Sequence, residues 1–280
     1  MHRLSINSKT MMNKRHAVIF GTILFISSGA RAESGPVVNG PEKAGNGYAL
    51  SVGVGGGYGP RYMGSKTYQF APVILFDAKA PWGLFASSSR GIGYELALPF
   101  NFFASAALNY DAGRKARNTQ FGQGSDALKG MGDIKGAVLA SLTTGYRFGE
   151  WGSVDMSVDL PLTARERGIT YHLMADATVL NALNDKIAVN AAAHFGSAKY
   201  NQTFFGVTPA QSAQSGFPAY MTGGGLYALG TGVEWTHTFS RHWSTTVAGQ
   251  IMRYTGTASR SPIVKSRFNY QVQGAVNYTF

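Results

Sequence analysis

The residues with the widest chemical range in this chain are its six histidines, His2, His16, His172, His194, His237 and His242. None stands at H-x-x-x-H or H-E-x-x-H spacing, so no helical metal-ligand motif is present. His172 and Asp176 share one face of a strand but lie roughly 13 Å apart along it, too far for an imidazole–carboxylate couple. Asp155 and Asp159 have the same spacing, which argues against a glycosidase pair on one strand. Asp111, Asp126 and Asp133 surround a polar connection with no histidine near them in sequence. Ser215-Gly216 lacks the G-x-S-x-G elbow of a serine hydrolase. The run Gly53-Val54-Gly55-Gly56-Gly57 has no following Lys-Ser/Thr pair or helix, so strand bending explains it better than phosphate binding. With Cys 0, thiolate chemistry, disulfides and zinc-thiolate sites are excluded. The expectation is a non-enzyme with no catalytic residue, no cofactor and no metal.

The elements that carry these residues are strands, and the last one shows it best. Phe268, Tyr270, Val272, Gly274, Val276, Tyr278 and Phe280 alternate with Asn269, Gln271, Gln273, Ala275, Asn277 and Thr279. Alternate side chains take opposite faces of a strand. One face is therefore apolar and aromatic and the other polar, and the segment stops on an aromatic. That suits the closing strand of a transmembrane β-barrel, apolar to lipid and polar to the lumen. An edge strand of a soluble sandwich is the plainer alternative. Tyr270, Val272, Val276, Tyr278 and Phe280 are the candidate recognition row for the barrel assembly machinery.

The other end agrees. Lys14, Arg15 and His16 precede an apolar run from Ala17 to Ile26, then Ser27-Ser28-Gly29 and Ala30-Arg31-Ala32. A basic region, a short apolar core and an A-x-A site make a secretory signal peptide. The run is too short for a membrane helix, which needs about 20 apolar residues. Residues 1–32 are thus expected to be removed by cleavage between Ala32 and Glu33, with Met11 or Met12 as a later start. Residues 33–46, rich in Gly, Pro and Asn, read as a flexible periplasmic leader, and 47–280 as the barrel.

The full chain carries +11, but the signal holds Arg3, Lys9, Lys14, Arg15 and Arg31. The remainder has 20 basic and 14 acidic residues, a scattered excess that forms no nucleic-acid stripe. No long apolar segment follows the signal, which excludes a helical inner-membrane protein.

Strand patterns recur at 47–56, 69–78, 82–89, 92–99, 102–111, 133–148, 152–165, 168–181, 186–198, 225–239, 242–256 and 265–280. Twelve is an even number, as bacterial single-chain barrels require. If the short pair flanking Arg90-Gly91 is one kinked strand, the alternative is ten. The fold class expected is all-β: a closed antiparallel transmembrane β-barrel in the outer membrane of a Gram-negative bacterium, in contact with its lipid. Turns such as Phe148–Gly152, Asn181–Asp185 and Phe239–His242 are short, and the stretches 112–132 and 199–224 are long and polar. Short turns belong on the periplasmic side and long loops outside. Lys135, Arg147, Asp155, Asp159, Asp176, Lys186 and Arg253 are then lumen candidates of mixed sign, able to line a pore or to pair and plug it. His237 and His242 flank a turn at the membrane interface. Arg114, Lys115 and Arg117, in the first long loop, are candidates for lipopolysaccharide phosphate; the alternative is a solvated loop whose charges have no partner.

The connections also carry a family pattern. Gly59-Pro60-Arg61-Tyr62-Met63-Gly64-Ser65 precedes Ala71-Pro72, and Arg90-Gly91-Ile92-Gly93-Tyr94 follows. Next come Asn109-Tyr110-Asp111-Ala112-Gly113-Arg114-Lys115 and Leu128-Lys129-Gly130-Met131-Gly132-Asp133-Ile134. Phe204-Phe205-Gly206-Val207-Thr208, Ser215-Gly216-Phe217-Pro218-Ala219-Tyr220, Gly223-Gly224-Gly225-Leu226 and Ser261-Pro262-Ile263 complete the series. In order and spacing the chain resembles the MipA/OmpV family, named for the MltA-interacting protein, from about residue 47 onward. The resemblance implies an outer-membrane barrel that scaffolds a lytic transglycosylase and a murein synthase. A small-solute channel and a surface adhesin working through the long loops are the alternatives. The family's acidic group before Ser-Pro is missing here, since Thr255–Arg260 has none. A scaffold of this topology would bind its partners through Gly149–Gly152, Asn181–Asp185 and Ser240–His242.

Overall fold

A computed structural model describes residues 47–280 of the chain. The expected signal peptide, the Ala32–Glu33 cleavage and the leader lie outside those residues. Twelve strands follow one another: β1 (Ala49–Pro60), β2 (Tyr68–Lys79), β3 (Leu84–Ser87), β4 (Gly91–Ala97), β5 (Phe102–Asp111), β6 (Ala137–Arg147), β7 (Gly152–Pro161), β8 (Thr170–Ala182), β9 (Asp185–Gly196), β10 (Gly225–Thr238), β11 (Trp243–Tyr254) and β12 (Phe268–Thr279). Each pairs antiparallel with its sequence neighbours, and β12 returns to β1, from Ser51↔Thr279 to Tyr58↔Val272, closing the barrel. Closure leaves no free sheet end at that seam. At Gly55 a Cβ would sit 1.9 Å from the Gly274 carbonyl oxygen, so the first and last strands meet this closely only because neither carries a side chain there.

Alternation sorts the side chains as the strand period demands. In β12, Asn269, Gln273, Ala275 and Asn277 are buried inside, while Phe268, Tyr270, Val272, Val276 and Phe280 are exposed outside. In β7, Ser153, Asp155, Ser157 and Asp159 face in, and Val154 and Met156 face out. A barrel with a polar inside and an apolar outside is the reverse of a soluble protein.

The two ends differ. Turns at one end are short: 80–83, 98–101, 148–151, 183–184 and 239–242. At the other end the connections 112–136, 197–224 and 255–267 are long. The 197–224 connection contains two short helices, α1 (Ala198–Phe205) and α2 (Pro209–Ser215). Ser197 caps α1 by accepting from the Tyr200 N–H, and Thr208 and Gln211 form a capping box on α2 with Pro209 in its first turn. No described helix is long and apolar enough to cross a membrane, which says nothing about strands.

Candidate functional site: a sealed mouth above a paired lumen

At the long-loop end the connections fold into an apolar core. Met63, Ile134, Tyr200, Phe204, Phe205, Tyr227, Met252, Tyr254 and Ala258 form one buried cluster. Tyr62, Leu128, Met131, Val207 and Ile263 form a second. Helix α1 supplies the centre: Phe204 and Phe205 are 1 % and 0 % exposed, and Tyr200 stacks on Phe204 at 4.4 Å. Burying such a side chain is worth several kcal/mol, with Phe→Ala costing about 3–5 kcal/mol. This mouth is therefore a folded lid, not a fringe of loops.

Two arginines tie the lid to the strands. Arg114 is 2 % exposed and its Nη1 donates to the Phe204 carbonyl at 2.8 Å. Complete burial lowers its pKa to about 10, with the neighbouring Tyr62 and Tyr200 working against the shift. Burial likewise raises the Tyr62 phenol, and Arg114 opposes that rise. Arg167 is 3 % exposed, pairs with Asp111 and donates to the backbone carbonyls of Asp111 and Lys135.

Arg114 is thus removed from the group expected to meet lipopolysaccharide, because a guanidinium inside the lid presents nothing to the surface. Lys115 is half-exposed and bonds Asp133 at 3.0 Å, while Arg117 is exposed. The Asp133 carboxyl lies below its ordinary value because it accepts from the Ala116 N–H and from Lys115. Two other placements differ from expectation. Lys135 lies before β6, exposed in a connection, not in the lumen. Arg253 lies on the outer face of β11, with its guanidinium 5.8 Å from the Phe268 ring.

Below the lid the lumen is lined by buried polar side chains, and a subset of them bond one another. Glu95 receives three cations: Lys79 at 3.1 Å, Arg90 at 2.8 Å and Arg147 at 2.9 Å. Arg90 and Arg147 also lie over the rings of Phe85 and Phe103, at 4.0 and 4.2 Å. Asp155, Asp159, Asp176, Asn190, Glu234, Thr236, Thr246, Gln273 and Asn277 are all buried. Of the expected lumen set, Arg147, Asp155, Asp159, Asp176 and Lys186 point inward, Lys186 standing opposite the buried Thr236 and Arg147 pairing with Glu95.

Directly beneath α1 sits a histidine pair that spacing along one strand does not reveal. His172 on β8 and His194 on β9 stand opposite each other, with Nδ1 to Nδ1 at 2.8 Å, so one ring donates and the other accepts. His172 Nε2 lies 3.3 Å from Asp159 on β7 and 3.2 Å from the Thr170 hydroxyl. His194 stacks on Tyr227, which packs on Tyr200 and Phe205 of α1. Asp176, the partner considered along the strand, bonds Ser153 instead.

Two β-bulges make this alignment. Counting back from Ala182↔Asp185 would put Phe195 opposite His172, but a register shift between Thr178 and Leu180 brings His194 there. A second shift, between Leu226 and Ala228, turns Tyr227 inward. Bulges re-aim side chains in this way.

Ser141 also donates to Asp159, giving the order Ser–Asp–His. A nucleophilic serine needs the imidazole as its partner, so this order does not activate Ser141. The described residues hold no group of three or more His, Cys, Asp or Glu side chains placed for a metal ion.

The short-turn end has no such core. Trp82, Phe100, Trp151, Leu183 and Phe239 are 55 %, 86 %, 60 %, 105 % and 62 % exposed. Phe100 and Asn101 sit at φ 59° and 64° in the left-handed region, which costs an ordinary residue about 1–2 kcal/mol. His237 and His242 lie here too, bonded to Asp185 and to the Thr279 carbonyl, each at 2.8 Å.

A closed twelve-stranded antiparallel barrel, apolar outside and polar inside, with short turns at one end and long loops at the other, is an outer-membrane β-barrel of a Gram-negative bacterium. The family model for MltA-interacting protein MipA matches residues 52–280, and the chain belongs to that family. No curated protein matches. Among solved structures, an outer membrane channel from Pseudomonas putida F1 is similar at 12 % identity and TM-score 0.43, covering 85 % of this chain and 97 % of its own. OmpF of Salmonella typhi, in complex with daunomycin, is similar at 13 % identity and TM-score 0.34, covering 79 % of this chain and 66 % of its own.

Proposed function

We propose that this protein is a non-enzymatic scaffold that holds murein-metabolising enzymes at the periplasmic face of the outer membrane. The observation that carries the reading is the contrast between its ends. The outer mouth is covered by a buried apolar lid and the lumen is lined by buried polar side chains, an arrangement that favours neither transport nor loop-borne adhesion. The periplasmic turns leave Phe100, Trp151 and Leu183 uncovered by the rest of the chain, and exposed apolar residues that rim a rigid frame are the raw material of a docking surface. Membership of the family named for an MltA-interacting protein supplies the partner class: a lytic transglycosylase, with a murein synthase as the second component.

Capture experiments test this. The purified barrel is expected to retain a lytic transglycosylase on beads, and scrambling Gly149–Gly152, Asn181–Asp185 and Ser240–His242 together should abolish retention. Undiminished capture after scrambling would overturn the mapping. No capture at all, together with stable conductance in planar bilayers, would replace the scaffold with a channel.

A further inference from the structure

Charge is spread unevenly around the barrel. From Trp235 to Phe280 the chain has no acidic residue, and from Gly47 to Phe76 it has none either. Those two stretches are neighbours in space, because β11, β12, β1 and β2 pair in that order. The cations of this arc are polarised. Arg61, Lys66, Arg253, Arg260, Lys265 and Arg267 lie at its external end, and Arg241 at the short-turn end. The exposed acids of the external end, Asp126, Asp133 and Glu166, belong to other connections, where Lys115 is already held by Asp133.

Backbone ties gather Lys66, Arg253, Lys265 and Arg267 on one shelf. Arg253 stands opposite Phe268 on the outer face of the wall. The Tyr254 N–H donates to the Arg267 carbonyl at 2.8 Å, and the Lys265 and Ser266 N–H groups both donate to the Gly64 carbonyl, at 2.7 and 2.9 Å. Asn269 clamps the loop just before Lys66: its Oδ1 accepts from the Gly64 N–H and its Nδ2 donates to the Ser65 carbonyl, each at 2.8 Å. All of these cations are exposed, and among the described residues none of them is in an ion pair. Arg253 lies 5.8 Å from the Phe268 ring and Lys265 4.6 Å from the Phe217 ring, contacts that leave their charge unneutralised. Below them the outer wall is aromatic and apolar. Tyr58 and Tyr68 stack at 5.4 Å, the Tyr68 hydroxyl accepts from the Tyr270 N–H at 3.2 Å, and Ile251, Phe268, Tyr270 and Val272 are exposed.

We infer that this shelf binds a phosphorylated glycolipid of the outer leaflet, the lipid A portion of lipopolysaccharide, with its phosphates on the cations and its acyl chains along Ile251, Tyr270 and Val272. Three features choose that occupant. Aromatic residues mark the headgroup level on a barrel wall, so cations just above them meet lipid headgroups. Arginine pairs bidentately with phosphate, and two arginines and two lysines with no carboxylate among them call for more than one phosphate. From Arg253 on β11 to the β1–β2 connection the shelf is three strand spacings wide, about 14 Å. A disaccharide with a phosphate at each end reaches across that width, whereas a glycerophospholipid with a single phosphate engages one side only.

The test uses the purified full barrel in detergent and lipid A carrying two phosphates, with native mass spectrometry reading the bound fraction. The combined variant Lys66→Gln, Arg253→Gln, Lys265→Gln and Arg267→Gln should weaken lipid A binding by about tenfold or more, equivalent to about 1.4 kcal/mol. The control variant Lys129→Gln with Lys199→Gln, which removes exposed external cations outside the arc, should stay within about twofold. On the unaltered barrel, monophosphoryl lipid A should bind about fivefold more weakly and phosphatidylglycerol about tenfold more weakly, and inorganic pyrophosphate should not compete at equal concentration. Undiminished binding by the combined variant, or an equal loss in the control, would overturn the shelf. Equal binding of phosphatidylglycerol, or displacement of lipid A by pyrophosphate, would overturn the glycolipid as its occupant. Those lipid comparisons use the unaltered protein, so they decide the occupant whether or not the combined variant assembles.

Discussion

The two ends of this barrel solve opposite problems with the same twelve strands. The external connections are long enough to bring Tyr62, Leu128, Phe204, Phe205 and Ile263 together, and they bury them. The periplasmic turns are too short to fold over anything, so Phe100, Trp151 and Leu183 stay exposed. Loop length decides whether an apolar residue becomes core or stays exposed. Buried apolar packing is therefore concentrated at the outer end, and exposed apolar surface at the inner one.

The contrast can be broken most sharply at its hinge. Deleting Ala191 from β9, on the near side of the histidine pair, would set Phe195 opposite His172 and invert the rest of that strand against its neighbours. Assembled barrel in the outer membrane should fall at least severalfold; normal accumulation would mean that this register does not position the lid. Next in size, Phe204→Ala should cost about 3–5 kcal/mol of lid stability. It should lower the temperature at which the barrel loses its compact band in unboiled gels, while leaving transglycosylase capture intact. Capture lost along with the lid would blur the division between the ends.

Arg114→Ala leaves the Phe204 carbonyl without its donor and should cost about 1–3 kcal/mol. Arg117→Ala, on the exposed loop, should stay within about 0.5 kcal/mol. Equal effects in thermal gel-shift assays would contradict the buried placement of Arg114. Deleting Phe280 should reduce membrane levels more than Asn277→Ala does. Phe280 lies outside on the terminal row, whereas Asn277 bonds Thr246 inside at 3.0 Å. Equal levels would refute a recognition role for that row.

The smallest effect concerns Asp133. Its folded value is depressed, so its contribution is present above its ordinary pKa and is lost as pH falls through the lower folded value. Acidification through that lowered folded value should reduce the protection of the Ala116 N–H relative to a free amide at the same pH, with no loss of protection in the strands. Unchanged exchange would remove this tie from the lid.

Much of the architecture was legible because a barrel writes a period of two into every strand. The alternation in Phe268–Phe280 needed no partner to be read, and the strand positions followed from similar patterns and from turn lengths. The lid was less visible. Its helix α2 does announce itself through the Thr208-Pro209-Ala210-Gln211 capping box, but α1 is short, and its Tyr200, Phe204 and Phe205 look like loop aromatics until something covers them. Arg114 carries the same side chain as Arg117 three residues on, and nothing local separates a buried guanidinium from a solvated one. The expected strands 82–89 and 92–99 are already the short pair of the set, and β3 and β4 are shorter still, at Leu84–Ser87 and Gly91–Ala97.

The sequence by itself determined the class of fold, the strand count, the inward and outward faces and the polarity of the two ends. These rest on side-chain alternation and loop length, which are local. Only the tertiary structure decided which charges meet, that Glu95 gathers three cations, that His172 faces His194 and Asp159, and that Arg114 is sealed inside the lid. Those contacts depend on register between strands. A single bulged residue, Val179 or Tyr227, resets register for everything beyond it, and no pattern within one strand records the offset of its neighbour.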